Sequence, residues 1–366
     1  MSKLFNPLRV GRMNLSHRIA MAPMTRTRVD NNHVPLPFVK DHYEQRSCIP
    51  GSLLITEATV VSPHHGGYPN VPGIWNKAQI EAWEKVTRAV HDKGAHIYMQ
   101  IWAMGRTANP QFMKQRGYDL VSSSDVPMKS LFSGDMHYPR PLHESEILES
   151  IGDFAQAAKN AISAGFDGVE IHGANGYLVD QFIQDTSNKR TDSWGGSIPS
   201  RSRYATEVVR AVADAVGHDR TAIRLSPWSR FQGMRMDEPV AQFSQLVKQL
   251  SDFDLAYLHL CESDAKDAGE TLYPFLESYG RDNPVMVACN YTSESAVKAV
   301  DEDYKDGNVM VAFGKPYISN PDLPFRVKEG IPFQPWDPPT MYAQSREGYI
   351  DYKPSEEFLS RRGNKM

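Results

Sequence analysis

Residues 165–204 read GFDGVEIHGANGYLVDQFIQDTSNKRTDSWGGSIPSRSRY, and the rest of the chain can be arranged around this stretch. It opens with a short apolar run at 168–171, which predicts a buried strand. His172, Asn175 and Tyr177 follow within six positions, where that strand should end. Three hydrogen-bonding side chains at the carboxyl end of a buried strand indicate a functional site rather than a core.

Segments typical of strands and helices alternate on both sides of this stretch. Apolar runs predict eight strands, near residues 18–23, 52–58, 95–102, 168–171, 221–227, 255–260, 284–288 and 308–312. Helical spacing of apolar residues predicts a helix after most of them, and Asn76 with Gln79 forms a capping box at the start of one. This order predicts an α/β fold, a single (β/α)8 TIM barrel over residues 1–366. The rival fold, a doubly wound sheet, usually carries a Gly-x-Gly-x-x-Gly turn, and the chain contains no Gly-x-Gly.

The connection after the third predicted strand is unusually long. Residues from about 104 to 142 are aperiodic and contain scattered Pro, Ser and Asp. Long connections inside a compact domain are usually functional. We therefore expect residues 104–142 to form a lid.

Composition narrows the class of function. The 366 residues include 40 Lys and Arg against 44 Asp and Glu, a net charge of -4, which gives no reason to expect nucleic acid or an anionic membrane as a partner. No run approaches the roughly 20 apolar residues that span a bilayer. Three distant cysteines and an amino terminus without the apolar core of a signal peptide favour a cytoplasmic protein.

Polar side chains at the predicted strand ends form a candidate site, because the carboxyl ends of all barrel strands meet on one face. They are Thr25, Gln100, Trp102, His172, Asn175, Tyr177, Arg224, Asn290 and Lys315. This set offers many hydrogen-bond donors and almost no carboxylate. Such a set suits a large heteroaromatic cofactor with carbonyl oxygens and a phosphate.

The same set is a poor metal site, because hard divalent ions prefer oxygen ligands and zinc prefers several His or Cys. His64-His65 and Glu170-Ile171-His172 are the metal candidates in the sequence, and neither has a third partner at a usual spacing. We therefore predict no metal.

Each candidate residue also has an ordinary structural explanation. A single histidine at a strand end is more often a structural hydrogen-bonding group than a catalyst. Asn175 with Gly176 can form a turn, and Tyr177 can belong to the core. Arg224 is harder to explain in this way, because burying an unpaired charge is costly. The functional interpretation therefore depends on these residues lying together on one face.

At these residues the chain resembles the Old Yellow Enzyme family of FMN-dependent ene-reductases, in its fungal form. The resemblance extends from Leu4-Phe5 to residues 348–352. Its blocks are 22–26, 55–58, 67–68, 168–178, 188–192, 195–197 and 319–323. Several ordered blocks at matching spacing are a far more specific signal than any single motif.

The resemblance implies that FMN lies across the mouth of the barrel and that NADPH reduces it. The family pattern assigns the flavin contacts to Pro23, Met24, Thr25, Ala58, Gln100, Arg224, Cys289, Asn290, Phe313, Gly314 and Lys315. Among these residues, Arg224 would lie near the pyrimidine end of the ring, where a fixed cation stabilises the anionic reduced flavin. The phosphate would lie beyond strands seven and eight.

The resemblance also implies a reaction on an α,β-unsaturated aldehyde or ketone. His172 and Asn175 would donate hydrogen bonds to the substrate oxygen, and Tyr177 would protonate the α-carbon as hydride reaches the β-carbon. The substrate face would be lined by His172, Asn175, Tyr68, Trp102, Phe231 and Tyr349. Both a monomer and a homodimer are compatible with this picture.

Three departures from the family pattern concern cofactor and substrate. Gly314-Lys315 replaces the usual Gly-Arg, and a lysine cannot hold a phosphate in a bidentate manner. Cys289-Asn290 replaces the usual Gly-Asn, and the segment 262–282 is shorter than in many relatives.

Other functions remain open at the level of the sequence. One is a specialised enal reductase or isomerase of the ergot-alkaloid type, and Tyr177 favours reduction because relatives without this tyrosine tend towards isomerisation. A metal-dependent barrel lyase or hydrolase and a flavin-binding protein without catalysis are more distant alternatives.

Overall fold

A computed structural model describes residues 2–130, 133–263 and 269–363. The strands within these residues are β1 (Leu8–Val10), β2 (Met13–Leu15), β3 (Ile19–Met21), β4 (Leu53–Ile55), β5 (Thr59–Val60), β6 (His96–Trp102), β7 (Val121–Ser122), β8 (Met128–Lys129), β9 (Met136–His137), β10 (Arg140–Pro141), β11 (Gly168–Gly173), β12 (Thr221–Leu225), β13 (Tyr257–Cys261), β14 (Val285–Ala288) and β15 (Val309–Phe313).

The helices are α1 (Val39–Arg46), α2 (Lys77–His91), α3 (Pro110–Gln115), α4 (Glu144–Ser163), α5 (Leu178–Ile183), α6 (Ile198–Val216), α7 (Pro239–Ser251), α8 (Tyr273–Tyr279), α9 (Ser293–Lys298), α10 (Lys315–Ser319), α11 (Leu323–Glu329) and α12 (Glu356–Gly363). Within the described residues, no helix combines the length and the apolar character that a bilayer crossing requires.

Eight of the described strands close a parallel barrel in the order β3, β4, β6, β11, β12, β13, β14 and β15, and β15 pairs again with β3. These strands correspond to the eight predicted apolar runs, so the predicted (β/α)8 barrel is confirmed. The predicted strands are continuous apolar runs without alternating polar residues. β11 shows the reason, because all six of its residues are buried. A parallel sheet covered on both faces requires apolar residues on both faces of each strand.

The β1–β2 hairpin closes the amino-terminal end of the barrel. Leu8, Val10 and Met13 pack with the small interior residues of the barrel strands. Gly11 lies at the tip with a φ of 53°, and a Cβ atom there would come within 2.1 Å of the Asp219 carbonyl oxygen. The opposite, carboxyl-terminal end of the barrel therefore remains as the place for a site.

The long connection at 104–142 contains short elements, α3 and β7 to β10, which the aperiodic sequence did not predict. Residues 131 and 132 lie outside the described residues. The segment is held against α5, since the Ser122 hydroxyl donates to Gln181 Oε1 and the Ser123 hydroxyl donates to the Gln181 carbonyl, both at 2.8 Å. Its action as a lid stays a prediction.

Candidate active site

The carboxyl end of β11 turns sharply, and this turn orients the first group of candidate residues. Asn175 and Gly176 have φ values of 59° and 78°, in the left-handed region. The Asn175 backbone N–H donates to Ser226 Oγ at 2.7 Å, and the Asn175 carbonyl accepts from Gln232 Nε2 at 2.8 Å. The Gly176 N–H donates to the buried Asp180 carboxylate at 2.8 Å. The turn is therefore fixed on both sides, and Tyr177 follows it directly.

His172, Trp102 and Tyr177 form an aromatic cluster at this end of the barrel. The rings of Trp102 and His172 are nearly parallel, with centroids 6.0 Å apart. The Tyr177 ring lies 4.8 Å from His172 and 4.5 Å from Trp102, edge-on to both. Three predicted site residues from two strands and a turn are thus in contact.

Three buried polar atoms in and beside this cluster lack a partner. Among the described residues, His172 Nδ1, Trp102 Nε1 and Arg224 Nε are buried and make no hydrogen bond. Burying such atoms without compensation costs roughly 1–3 kcal/mol each. Their position at one end of the barrel indicates that a polar, planar ligand supplies the missing partners.

The environment holds Tyr177 in its protonated form and His172 in its neutral form. Burial raises the pKa of the Tyr177 phenol well above its ordinary value, and the nearby Tyr68 acts in the same direction. Burial and the Arg224 charge lower the pKa of His172 well below its ordinary value. At neutral pH the site therefore contains a phenol that can give up a proton and an imidazole with one N–H donor.

Arg224 lies beside His172 and below the mouth of the barrel. The two residues are register partners on β11 and β12, and Arg224 is only 8% exposed. Burial acts to lower the pKa of Arg224, but Cys261, Cys289 and Glu170 outweigh it and the guanidinium stays charged. A buried cation with a free Nε is thus available at the place where the sequence predicted one.

Gln100 belongs to a buried hydrogen-bond network centred on Glu170. Gln100 Nε2 donates to Glu170 Oε1 at 2.7 Å, while Tyr257 and His259 donate to Glu170 Oε2 at 3.0 and 2.8 Å. Burial acts to raise the pKa of Glu170, yet His259, Arg224 and Gln100 bring it below its ordinary value. One N–H of Gln100 is therefore occupied by the barrel interior, and its other polar atoms remain for a ligand.

The ends of β3 and β15 lie side by side and bring together a second group of predicted residues. The Ala22 N–H donates to the Phe313 carbonyl at 3.0 Å, which places Pro23, Met24 and Thr25 next to Gly314. A Cβ atom on Gly314 would lie 3.8 Å from Met24 Sδ, an ordinary contact distance, so Met24 packs directly beside this glycine. Lys315 lies beyond this point, with Nζ 5.7 Å from the Trp336 ring.

Other predicted residues differ in how closely they approach the cluster. Ala58 is buried, and Tyr68 is half-buried with its hydroxyl donating to the Thr107 carbonyl at 2.7 Å. Phe231 is 45% exposed on a turn after β12. Cys289 and Asn290 follow β14 with φ values of 86° and 56°.

The structure does not bring Tyr349 to the substrate face, and this prediction needs correction. Its side chain is 0% exposed, and its ring stacks on His42 with centroids 3.9 Å apart. The guanidinium groups of Arg26 and Arg28 lie 5.1 and 4.7 Å from the ring centroid. Tyr349 thus forms the base of the carboxyl-terminal loop at 340–349, because two arginines and a histidine enclose its ring.

Tyr342, on the same loop, is the residue that the sequence analysis missed. It is 57% exposed, and its hydroxyl is near enough to raise the pKa of Tyr177. The Thr27 hydroxyl donates to its carbonyl at 2.8 Å and holds the loop to the end of β3. The Gly348-Tyr349 block in the sequence indicated that this loop belongs to the site. It did not indicate which of the two tyrosines is exposed.

Comparison with known proteins agrees with this geometry. The sequence profile of the NADH:flavin oxidoreductase / NADH oxidase family matches residues 3–334. A chanoclavine-I aldehyde reductase of Penicillium roqueforti is 58% identical over 365 residues, which cover 98% of both chains. The chain belongs to the NADH:flavin oxidoreductase family. A probable inactive reductase of Epichloe festucae var. lolii is also similar, at 49% identity over 98% of this chain and 97% of its own length.

Solved structures of Old Yellow Enzymes share the fold of this flavin oxidoreductase. The Old Yellow Enzyme homologue of Zymomonas mobilis aligns with a TM-score of 0.89 and 37% identity, over 96% of this chain and 100% of the other. An Old Yellow Enzyme of Pichia sp. also gives a TM-score of 0.89, at 36% identity over 97% of this chain and 94% of the other. The resemblance inferred from the sequence blocks is confirmed.

This flavin oxidoreductase uses FMN, with NAD(P)H as the hydride donor. The residues present fit that cofactor. The unpartnered Arg224 Nε and Trp102 Nε1 are buried donors for carbonyl oxygens or a ring nitrogen. The chemistry of the site therefore agrees with a flavin bound across the carboxyl ends of the strands.

Proposed function

We propose that this protein is an NADPH-dependent, FMN-containing ene-reductase that saturates the C=C bond of a bulky α,β-unsaturated aldehyde of the ergot-alkaloid type. The observation that carries the proposal is the Tyr177 phenol, held protonated in contact with His172 and Trp102. The 58% identical relative is named for its action on chanoclavine-I aldehyde, which supports an enal of that kind. The overall conversion consumes one NADPH and one proton per double bond.

The cofactor residues have roles that follow from their chemistry. Arg224 is a buried cation, so it would neutralise negative charge at the pyrimidine end of the ring. Gln100 and Thr25 would donate to the ring edge, while the backbone at Pro23, Met24 and Ala58 would pack against it. Bound FMN supplies the hydride that reaches the β-carbon of the substrate.

Around the phosphate, the ends of β14 and β15 would provide the contacts. Cys289 and Asn290 offer backbone N–H groups in a left-handed turn, and Phe313 and Gly314 would offer theirs at the end of β15. Lys315 would balance the charge of the phosphate as a single ammonium group, without the paired hydrogen bonds of an arginine.

His172 and Asn175 would bind the carbonyl oxygen of the substrate. As hydride reaches the β-carbon, negative charge develops on this oxygen, and fixed donors stabilise it most at that moment. The lowered pKa of His172 keeps it neutral, so it acts as a hydrogen-bond donor and not as an acid. Tyr68, Trp102, Phe231 and Tyr342 would surround the rest of the substrate.

Tyr177 would deliver the proton to the α-carbon. Its pKa is raised by burial, so the phenol stays protonated over the whole physiological range. The turn at Asn175 and Gly176 fixes the start of its backbone, which limits the entropy lost when the proton is transferred. A chain with a tyrosine here favours net reduction over isomerisation of the double bond.

The experiment uses the purified full-length chain. We expect a yellow protein that releases FMN on denaturation and that, under anaerobic conditions, oxidises one NADPH for each enal converted to the saturated aldehyde. A panel should compare chanoclavine-I aldehyde with a small enal, a small enone and a saturated aldehyde of similar size. The saturated aldehyde is the control, because it carries the carbonyl without the double bond.

Two results would contradict the proposal. A protein without flavin would remove its basis. A flavoprotein whose reduced form is reoxidised by oxygen but by no enal or enone of the panel would show a flavin site without ene-reductase activity. Isomerised product with no net NADPH consumption would instead favour the isomerase alternative.

A further inference from the structure

Two adjacent histidines and an aspartate converge at a place away from the flavin site. His64 and His65 lie on a turn of 3-10 helix after β5, and Asp153 lies on α4. One ligand atom from each residue lies within 4.8 Å of the other two. His64 Nε2 is 2.8 Å and His65 Nε2 is 3.6 Å from Asp153 Oδ2. Asp153 is the third partner that sequence spacing could not reveal.

An ordinary ion pair accounts for only part of this cluster. Asp153 Oδ2 is satisfied by His64 and by the Ser62 hydroxyl, which donates to it at 2.8 Å. His65 Nε2 is different, because it is buried without any hydrogen-bond partner and the side chain is only 3% exposed. An imidazole nitrogen buried in this way carries a desolvation cost that its protein neighbours do not offset. The missing partner lies in the direction of His64 and Asp153.

We propose that His64 Nε2, His65 Nε2 and Asp153 Oδ2 bind a zinc ion, with water as the fourth ligand. Imidazole nitrogen and carboxylate oxygen bind Zn²⁺ at about 2.0–2.2 Å, so ligands of a tetrahedral site lie about 3.3 Å apart. The His65–Asp153 separation already suits this arrangement. The half-exposed His64 has to move by about half an ångström, which displaces its direct bond to Asp153.

The surroundings provide access and charge balance for such an ion. His64 and His65 border a cleft that Tyr118, Arg140 and Glu149 also line. Arg140 lines the same cleft, and its charge is balanced by ion pairs of 2.6 Å to Glu146 and 2.8 Å to Asp119. The two histidines therefore meet the cleft without an unpaired arginine charge beside them.

The position of the ion gives it a structural role. The His65 carbonyl accepts a hydrogen bond from the Met104 N–H at 3.0 Å, at the start of the 104–142 segment. The metal would therefore join α4, the turn after β5 and the base of that segment. Because Tyr68 follows three residues after His65, the ion would also steady one wall of the proposed substrate site.

The test uses full-length, FMN-loaded protein without a histidine tag, treated with EDTA, desalted and then given Zn²⁺ as the probe. Zinc per chain is measured by mass spectrometry after gel filtration, and affinity by competition with a chromophoric chelator. The variants are His64→Asn, His65→Gln and Asp153→Asn. His91→Asn is the matched control, because His91 Nε2 makes a similar 2.9 Å ion pair with Asp167 but is not part of the cluster.

We expect one zinc per chain in the wild type and in His91→Asn. Loss of a group that hydrogen-bonds to a metal ligand commonly costs about 10–100-fold in metal affinity, so loss of a direct ligand should cost more than about 100-fold. The flavin absorption spectrum and the melting temperature without zinc verify that each variant is folded. If His65→Gln does not fold, His64→Asn provides the test, because His64 is half-exposed. Equal zinc binding in the wild type and in His64→Asn, or no binding in the wild type, would overturn the proposal.

Discussion

At the scale of single residues, Cys289 shows a departure from the family pattern that costs stability. Its φ is 86°, where a side chain with a Cβ atom is strained by about 1–2 kcal/mol. A glycine at this position would remove the strain from the folded chain. Because glycine also loses more conformational entropy on folding, about 0.5–1 kcal/mol of that stabilisation would be cancelled. The family's usual glycine at this place therefore has a physical reason.

We predict that Cys289→Gly raises the free energy of unfolding by up to about 1 kcal/mol. Urea denaturation with excess FMN measures this change. Cys289→Ala is the control, because it removes the thiol and keeps the strained backbone. If the free energy of unfolding rises equally in Cys289→Ala, the stabilisation comes from removal of the thiol, which hydrogen-bonds to Cys261, and not from relief of backbone strain.

The sequence could predict the proximity of residues that follow one strand, while their roles in the site stay predictions. His172, Asn175 and Tyr177 follow one strand, so their proximity needed only the direction of that strand. The prediction was wrong for Tyr349, because the loop at 340–349 is shaped by Arg26 and Arg28, more than 300 residues away along the chain. No local pattern shows which tyrosine such a loop buries.

At the scale of elements, the carboxyl-terminal loop at 340–349 depends on Arg28. Its guanidinium donates to the Thr340 and Met341 carbonyls, both at 2.7 Å, and lies over the Tyr349 ring. These contacts position Tyr342 next to the proposed substrate site.

We predict that Arg28→Met increases amide hydrogen exchange across 340–349 by at least about tenfold, equivalent to about 1.4 kcal/mol of local stability. Binding of the enal should weaken as Tyr342 loses its position, while FMN content stays unchanged. The control is Arg116→Met, since Arg116 also covers an aromatic ring, Phe112, at 3.6 Å, but lies on another segment. Unchanged exchange in Arg28→Met would show that the loop holds its conformation without these bonds.

Elements with strong periodic signals were predicted well, and short ones were not. The predicted capping box of Asn76 and Gln79 is present at the start of α2. The β1–β2 hairpin, α5 and the short strands of 104–142 were missed. Elements of two to six residues bury too few side chains to leave a periodic pattern, so tertiary contacts determine them.

At the scale of the whole molecule, buried histidines make folding sensitive to acid. His17 Nδ1 accepts from the Ile19 N–H at 3.1 Å, and its Nε2 donates to the Ser52 hydroxyl at 2.9 Å, between β3 and β4. Burial lowers the pKa of His17 to about 4, below the unfolded value of about 6.5. Between these two pKa values the unfolded chain therefore binds more protons than the folded chain. The contribution of His17 to the free energy of unfolding is complete above pH 6.5 and is lost as the pH falls towards 4.

We predict that His17→Asn weakens this acid sensitivity. An asparagine can accept from the Ile19 N–H as the imidazole does, but it does not titrate. Urea unfolding at pH 7.0, 5.5 and 4.5 with excess FMN measures the free energy of unfolding. Between pH 7.0 and 4.5 the variant should lose up to about 2.4 kcal/mol less than the wild type. Parallel losses in both proteins would mean that other groups determine the acid response.

The architecture as a whole was predictable because eight alternations of strand and helix specify a barrel. The network of Gln100, Tyr257 and His259 around Glu170 was not, because its members come from β6, β11 and β13. Each residue looks like an isolated polar position in an apolar run. Only closure of the barrel brings them within hydrogen-bonding distance.

If this flavin oxidoreductase reduces an enal and Tyr177 supplies the proton, the two half-reactions of Tyr177→Phe should respond differently. Anaerobic stopped-flow spectroscopy measures each half-reaction separately. Tyr68→Phe is the control, because Tyr68 is near enough to raise the pKa of Tyr177, but its hydroxyl donates to the Thr107 carbonyl.

We expect NADPH to reduce the flavin of Tyr177→Phe at nearly the wild-type rate, while reoxidation by the enal slows by about 100-fold or more. Tyr68→Phe should change the two rates little. Equal slowing of both half-reactions in Tyr177→Phe, or reoxidation by the enal at the wild-type rate, would contradict the account.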